Sequence, residues 1–476
     1  MSHLLAVRKG EDVMSTMTGH LRRTTLWGVV GILAVLGIAK VGRADVASDK
    51  PGAILIYPKI VVDTSGILGP PTDTEIQITN TSNQVVGARC YLIDSTSHCS
   101  NTFTCSNDRV KLCTSNSDCG SGQCVPAACT AAGLAEGREP GRGGCLPGGT
   151  CLGPCSPRLV ETDFRLTLTK RQPVSWKASE GLRVFPCDET ACVPPGANGQ
   201  AESNGGSSVP GVQEEPFVGV LKCVQAKASD FTPSNGLDPA NGFTGDLKGE
   251  ATIVSTGGAL RDAVQPTSPF AVDARKYNAI GIQSIGLNNG DDTLLVGGAT
   301  PEYNACPKAV IVDNLFDYAT VATHGGGSVG QVTTDLTFIP CTEDLATQTP
   351  TGATLQFLVY NEFEQRFSTS IGFSCFKEVQ LSDIDTRPGI FGNQQSIFSY
   401  MVQGTLSGQI RIRPVPSATT DNRILAVSEE FWTCASGPDG TCSAAANVNL
   451  VPGIGNGDEI CLEGATPDQG CTVMSH

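Results

Sequence analysis

The sequence predicts an all-β protein of two tandem β-sandwiches, with a disulfide-rich insertion in the first and a disulfide-rich C-terminal tail. Three observations carry that prediction. Short stretches alternate polar and apolar residues with the two-residue period of a half-buried strand. The 476 residues include 55 glycines and 29 prolines, which punctuate the chain too often for long helices. Finally, three short signatures occur twice, in the same order.

The first signature is Pro58-Lys59-Ile60-Val61-Val62-Asp63, echoed by Pro307-Lys308-Ala309-Val310-Ile311-Val312-Asp313. The second is a strand ending in Asn and followed by a Cys-aromatic pair: residues 76–80 with Cys90-Tyr91, then residues 355–361 with Cys375-Phe376. The third is Gly245-Asp246-Leu247-Lys248-Gly249-Glu250 before Ile253, echoed by Gly404-Thr405-Leu406-Ser407-Gly408-Gln409 before Ile412. Self-similarity over a long period signals repeated structural units. Unequal spacing between copies is absorbed by loops at small entropic cost.

The elements follow in chain order. Residues 28–39 are an apolar run, preceded by Arg22-Arg23 and followed by Gly42-Arg43-Ala44. A basic flank, a short apolar run and a small-x-small site predict a cleavable export signal over 1–44. The run falls short of the roughly 20 residues of a membrane span, so no span is expected in the mature chain. Removing residues 1–44 takes the net charge from −15 to about −19. An acidic chain of this kind repels phosphate backbones, so nucleic-acid partners are disfavoured.

The first sandwich is expected over 51–295. Residues 53–63 are apolar and β-branched, and Pro58 suits an edge strand or a bulge. Residues 74–79 alternate and place Ile76 and Ile78 on one buried face, residues 80–83 are turn chemistry, and 85–93 return as a partner strand. Residues 163–168 alternate again. Between them, over 95–160, lies a cysteine-rich insertion with almost no apolar periodicity. A flexible loop of small polar residues is expected over 194–213. The second sandwich is expected over 303–433, with alternating strands at 332–339 and 406–412. A cysteine-rich segment, 434–476, ends the chain.

All twenty cysteines follow residue 89, behind the export signal. That partition predicts an oxidising compartment (extracellular, cell-surface or periplasmic) in which the thiols pair. Nine of them fall between Cys99 and Cys155, where too little core exists to fold without crosslinks. Local closures are expected for Cys187 with Cys192, Cys434 with Cys442 and Cys461 with Cys471, and Cys341 with Cys375 within the second sandwich. A zinc cluster is the competing account, but zinc favours C-x2-C pairs, and the tightest spacing in the insertion is Cys151 to Cys155.

The pattern from Glu75 to Val86, and less closely from Thr354 to Phe367, resembles the immunoglobulin-like β-sandwich of exported bacterial surface and periplasmic proteins. There an I-x-I-x-N-x-S hairpin follows an edge strand. The chain as a whole also resembles exported proteins of environmental bacteria. Both resemblances imply a fold and no chemistry.

Candidate chemistry is sparse. Gly326-Gly327-Ser328-Val329-Gly330, after His324, matches the G-x-S-x-G pattern of a nucleophile elbow, but an alternating strand follows where a helix is required. After the signal the histidines are His98, His324 and His476 only, which limits imidazole chemistry. Glu362 and Glu364 share a strand face, yet they fall in an expected hairpin turn. Asn288, Asp291 and Asp292 form an oxygen-rich loop and are weak calcium candidates, without EF-hand spacing. Trp176 and Trp432 offer little aromatic platform for a glycan and suit a core. The expected function is therefore a non-enzymatic structural or binding protein of the cell surface or extracellular space, without a cofactor, its partner a protein or glycan surface. A secreted carboxylate-dependent hydrolase is one alternative. A glycan- or small-ligand-binding module, calcium-assisted, is the other.

Overall fold

A computed structural model describes residues 46–66, 71–128, 155–157, 160–182, 209–233, 245–256, 272–284, 296, 302–322, 329–341, 352–374, 376–385, 387–388, 394–415, 423–433, 441–447 and 449–451. The export signal, the 194–208 part of the polar loop and residues 452–476 lie outside them.

The fold is all-β and antiparallel. The first half contributes β1 (Val46–Ala47), β2 (Ile54–Val62), β3 (Thr72–Asn80) and β4 (Val86–Asp94). The cysteine-rich insertion follows as β5 (Ser97–Cys105), β6 (Asp108–Leu112), β7 (Cys124–Ala128) and β8 (Cys155–Pro157). The first half then resumes with β9 (Val160–Leu168), β10 (Pro173–Lys177), β11 (Phe217–Ala226), β12 (Leu247–Thr256), β13 (Val272–Asn278) and β14 (Ile280–Ile282). The second half runs β15 (Ala309–Leu315), β16 (Thr320–Ala322), β17 (Val329–Pro340), β18 (Gly352–Asn361), β19 (Arg366–Ser374) and β20 (Lys377–Gln380). After the short helix α1 (Leu381–Ile384) come β21 (Arg387–Pro388), β22 (Gln394–Gln395) and helix α2 (Tyr400–Gln403). It ends with β23 (Ser407–Pro414), β24 (Ile424–Thr433), β25 (Thr441–Asn447) and β26 (Asn449–Val451).

In the first half a six-stranded sheet, β1-β14-β2-β11-β4-β9, faces a four-stranded sheet, β10-β3-β12-β13. Alternation decides what lies between them. Ile76 and Ile78 of β3, Ala88, Cys90 and Leu92 of β4, and Leu166 and Leu168 of β9 all enter one core. Phe164 and Trp176, from opposite sheets, meet edge to face with centroids 6.0 Å apart. Trp176 is thus core. Cys90 and Cys223, directly opposed on β4 and β11, form a buried disulfide.

In the second half β19-β18-β23-β15-β26 faces β16-β17-β24-β25, with β20 added beside β17. Phe338, Phe357 and Phe398 stack edge to face through its core.

Three expectations need correction. First, β2 is no edge strand: it sits between β14 and β11 and is covered on both faces, which explains why it is apolar at nearly every position, Lys59 apart. The bulge expectation at Pro58 stands, because Tyr57 pairs with Leu221 while Ile60 pairs with Gly219. Two residues, Pro58 and Lys59, oppose one, and the side-chain phase flips. Leu55 and Tyr57 point into the core before the bulge, Ile60 and Val62 after it. Second, β3 and β4 are not partner strands. The chain arches from one sheet to the other because Asn80 is buried and its Nδ2 donates to Gln84, Leu168 and Thr169 carbonyls. In the second half β18 and β19 do pair as a hairpin. Third, Cys341 is bonded to Cys306 rather than to Cys375, which lies outside the described residues. The reason is local: Cys341 N donates to the Arg423 carbonyl, and Arg423 Nη1 donates to the Cys306 carbonyl, so Arg423 bridges the two cysteine backbones.

The strands that carry the second and third signatures pair alike in the two halves. β3 pairs with β12 as β18 pairs with β23, and Asn80 and Asn361 both end their strands and accept from the turn that follows. The Pro-Lys signatures diverge. β15 lies in the sheet of β18 and β23, whereas β2 lies in the sheet opposite β3 and β12.

The insertion is a hairpin excursion, since β4 and β9 flank it and pair with each other. Its own small sheet, β6-β5-β7 with β8, is crosslinked by Cys105–Cys119 and Cys113–Cys124.

Candidate functional site

The first and second halves share an apolar cluster. Ile54 and Ile56 of β2, Val218 and Val220 of β11 and Ile282 of β14 pack with Ile339, Phe376 and Leu425. The described residues all fall within one compact unit.

Inside that junction lies a group of charges. The β2 bulge turns Lys59 out of the first core and toward the second half, a recognised use of bulges. Its side chain is 4% exposed, and its ammonium donates to Glu378 Oε1 of β20 at 2.8 Å and to Glu429 Oε2 of β24. Arg275 Nε of β13 donates to the other oxygen, Glu429 Oε1, at 2.8 Å. The guanidinium also stands over the Phe431 ring, 5.3 Å from its centroid. Tyr277 donates its hydroxyl to the Lys59 carbonyl, fixing the bulge from the facing sheet. Asp335 of β17 lies opposite Glu429 and Gln380.

The electrostatics follow from burial and these neighbours. Burial opposes the Lys59 ammonium, but Glu378 and Glu429 override it and hold Lys59 well above the usual lysine value. Burial likewise opposes the Glu429 carboxylate, and Lys59 and Arg275 outweigh it, so Glu429 is held low. Asp335 is pushed up to about 7 by burial and then by Glu378. A lysine held as ammonium is no nucleophile, because Schiff-base chemistry needs the opposite shift. This group is a latch between the two halves.

A second buried group stands at the root of the insertion. His98 Nε2 lies 2.9 Å from Glu214 Oε2, and His98 Nδ1 lies 2.8 Å from the Thr96 carbonyl. Asp94 Oδ1 accepts from Thr96 N at 2.8 Å. Burial, then the charge of Glu214, pushes Asp94 up to about 8. The two carboxyl groups and the imidazole join the end of β4 to the start of β5 and the approach to β11.

The second half ends in an apolar tip. Phe363 and Met401 are 68% and 80% exposed, and Leu406 is 45% exposed. They stand on three segments bound together: Asn361 Nδ2 donates to Gln403 Oε1 at 3.1 Å, and Glu362 Oε1 accepts from Ser407 N at 3.0 Å and Oγ at 2.8 Å. Helix α2 is fixed by Ser399, whose Oγ accepts from Met401 N, and by Gly404 in the left-handed region at φ 66°.

The sequence candidates fare as follows. Glu362 and Glu364 occupy the β18–β19 turn as expected; Glu362 is held low by Ser407, and Glu364 has φ 59°. Val329 and Gly330 begin strand β17, while Gly326, Gly327 and Ser328 lie outside the described residues. So do Asn288, Asp291, Asp292, Cys187, Cys192, Cys434, Cys461, Cys471, His324 and His476. The backbone of Cys442 lies in β25. The sulfurs of Cys105, Cys113 and Cys119 lie within 4.8 Å of one another, a spacing that two disulfides account for. Among the described residues no helix is long and apolar enough to cross a membrane.

Sequence reasoning missed the latch. Its signal was present: Lys59 interrupts an apolar strand, and Glu429 sits in residues 424–432 (ILAVSEEFW) with apolar residues on both sides. No family model matches this chain, and no curated protein matches it.

Proposed function

We propose that the chain is an exported, non-enzymatic structural or binding protein of the cell surface or extracellular space. In this reading two tandem immunoglobulin-like sandwiches form the scaffold, and their ends and excursions do the contacting. The observation that carries it is the apolar tip of Phe363, Met401 and Leu406. Exposed apolar groups gathered on one rigid end mark a contact surface, and the hydrogen bonds beneath them hold the three segments in place. The latch supports the reading, because it lets a load on the tip pass into the first half without a hinge.

The test is the double substitution Phe363→Ser with Met401→Ser, compared with the parent by sedimentation and by retention on the producing cells. The parent is expected to self-associate or stay cell-bound, and the variant to fold equally well and be released as monomer. Equal behaviour of the two proteins refutes the reading.

A further inference from the structure

The second half covers the outer face of the six-stranded sheet over β2 and β11, where Val218, Val220 and Val224 are buried. Toward β9 the same face opens: Arg89 of β4 is half-buried, Tyr91 is half-buried against the edge of the junction cluster, and Asp163 and Arg165 of β9 are exposed. There a groove of about 280 Å³ is lined by Arg89, Tyr91, Asp163, Phe164 and Arg165.

Strand register fixes what the groove presents. One row across the sheet is Lys222, Tyr91 and Asp163; the next is Val224, Arg89 and Arg165. Arg89 and Arg165 are directly opposite each other. Like charges in that relation destabilise a sheet, and the two rows carry three cations against one carboxylate. This concentration occurs in a chain of net charge −15.

Both guanidiniums stand beside rings. Arg89 Cζ is 5.8 Å from the Tyr91 centroid and Arg165 Cζ is 5.3 Å from that of Phe231. Phe231 arrives on a turn that closes over Gly87. A Cβ on Gly87 would meet the Lys227 carbonyl at 2.9 Å and the Phe231 ring at 3.1 Å. Phe231 itself has φ 58°, a left-handed conformation unfavourable for a bulky residue. Local strain of this kind clusters where a side chain must be held for a ligand.

We infer that this groove binds a uronate unit of an acidic polysaccharide, its carboxylate between Arg89 and Arg165 and its ring carbons against Tyr91 and Phe231. A guanidinium fork matches a planar carboxylate with two parallel hydrogen bonds. The groove is open, and smaller than the roughly 300–1,000 Å³ of enclosing small-molecule pockets, so it fits the flank of a polymer. The inference does not rest on the apolar tip, which belongs to other strands, and either can fail alone.

The test is calorimetric titration at low ionic strength with tetragalacturonate, set against a neutral tetragalactose, polyglutamate and inorganic phosphate. Tetragalacturonate is expected to bind, and the other three to bind weakly or not at all. Arg165→Gln, at an exposed site, and Arg89→Gln are each expected to weaken binding about tenfold or more, with melting temperature unchanged or raised as the like-charge pair is relieved. Three results overturn the proposal: no binding of tetragalacturonate, undiminished binding by Arg165→Gln, or polyglutamate or phosphate binding as tightly as the uronate.

Discussion

Glu429→Gln is the sharpest probe of how the two halves are joined. The carboxylate is 1% exposed and meets a cation at each oxygen, Lys59 at one and Arg275 at the other, whose side chains are 4% and 10% exposed. Exchange for an amide leaves size and shape intact but faces both cations with a neutral group. Only Glu378, whose side chain is 25% exposed, then balances Lys59 directly. Removing one partner from a buried ion pair costs about 3–5 kcal/mol, mostly from the charge left without compensation. Because one carboxylate here serves two cations, the upper part of that range is expected. Guanidinium chloride unfolding, followed by tryptophan fluorescence and circular dichroism together, reads the loss directly. The two signals should also separate, since weakening the junction uncouples the halves. A companion variant, Lys59→Met with Glu429→Leu and Arg275→Met, removes all three charges at similar volume and should recover most of the lost stability. A Glu429→Gln protein within about 1 kcal/mol of the parent, with coincident transitions, would show that the latch does not hold the halves together.

Two further outcomes follow from the same structure. Asp94, Asp335 and Asp317, the last a buried carboxylate after β15 that accepts from Thr334 N and Ser382 N, are pushed up to about 8, 7 and 6, each chiefly by burial. The folded state therefore holds protons that the unfolded state releases in the ordinary carboxylate range, and stability should fall as pH rises from about 4 to about 8. Glu429, held low, acts in the opposite direction and loses its contribution in strong acid. Melting temperatures across pH 4–9 check this, and Asp94→Asn with Asp335→Asn should flatten the profile; a parent profile rising steadily to pH 8 contradicts it. The Cys90–Cys223 disulfide spans 133 residues of sequence and lies fully buried. Replacing both cysteines with alanine should cost about 5 kcal/mol by the chain-entropy relation, read as a lowered unfolding midpoint, whereas a loss under about 1 kcal/mol would place the stability elsewhere.

What the sequence made legible, and what it hid, has one physical cause: periodicity reports which face of a strand is buried, but not which strand lies beside it. Ile76 and Ile78, or Phe164, Leu166 and Leu168, declare a buried face by alternation alone, and the structure keeps every one of them in the core. The same alternation is silent about whether residues 80–85 fold back within a sheet or arch between sheets. That choice was made by the Asn80 side chain reaching Leu168 and Thr169, 88 and 89 residues away. The latch was hidden for the same reason. Lys59, Arg275, Glu378 and Glu429 are separated by 51 to 370 residues, and nothing local distinguishes a lysine aimed at a distant carboxylate from one aimed at water. Besides the charges at Lys59 and Glu429 inside apolar strands, the local clue was Pro58, which marked a bulge, and a bulge is what turns the next side chain to the other face. A charged residue directly after a proline, inside a strand otherwise buried on both faces, therefore has a definite reading: the chain has spent a ladder hydrogen bond to aim that charge at something, and here the target is the sheet of β17, β20 and β24 in the second half.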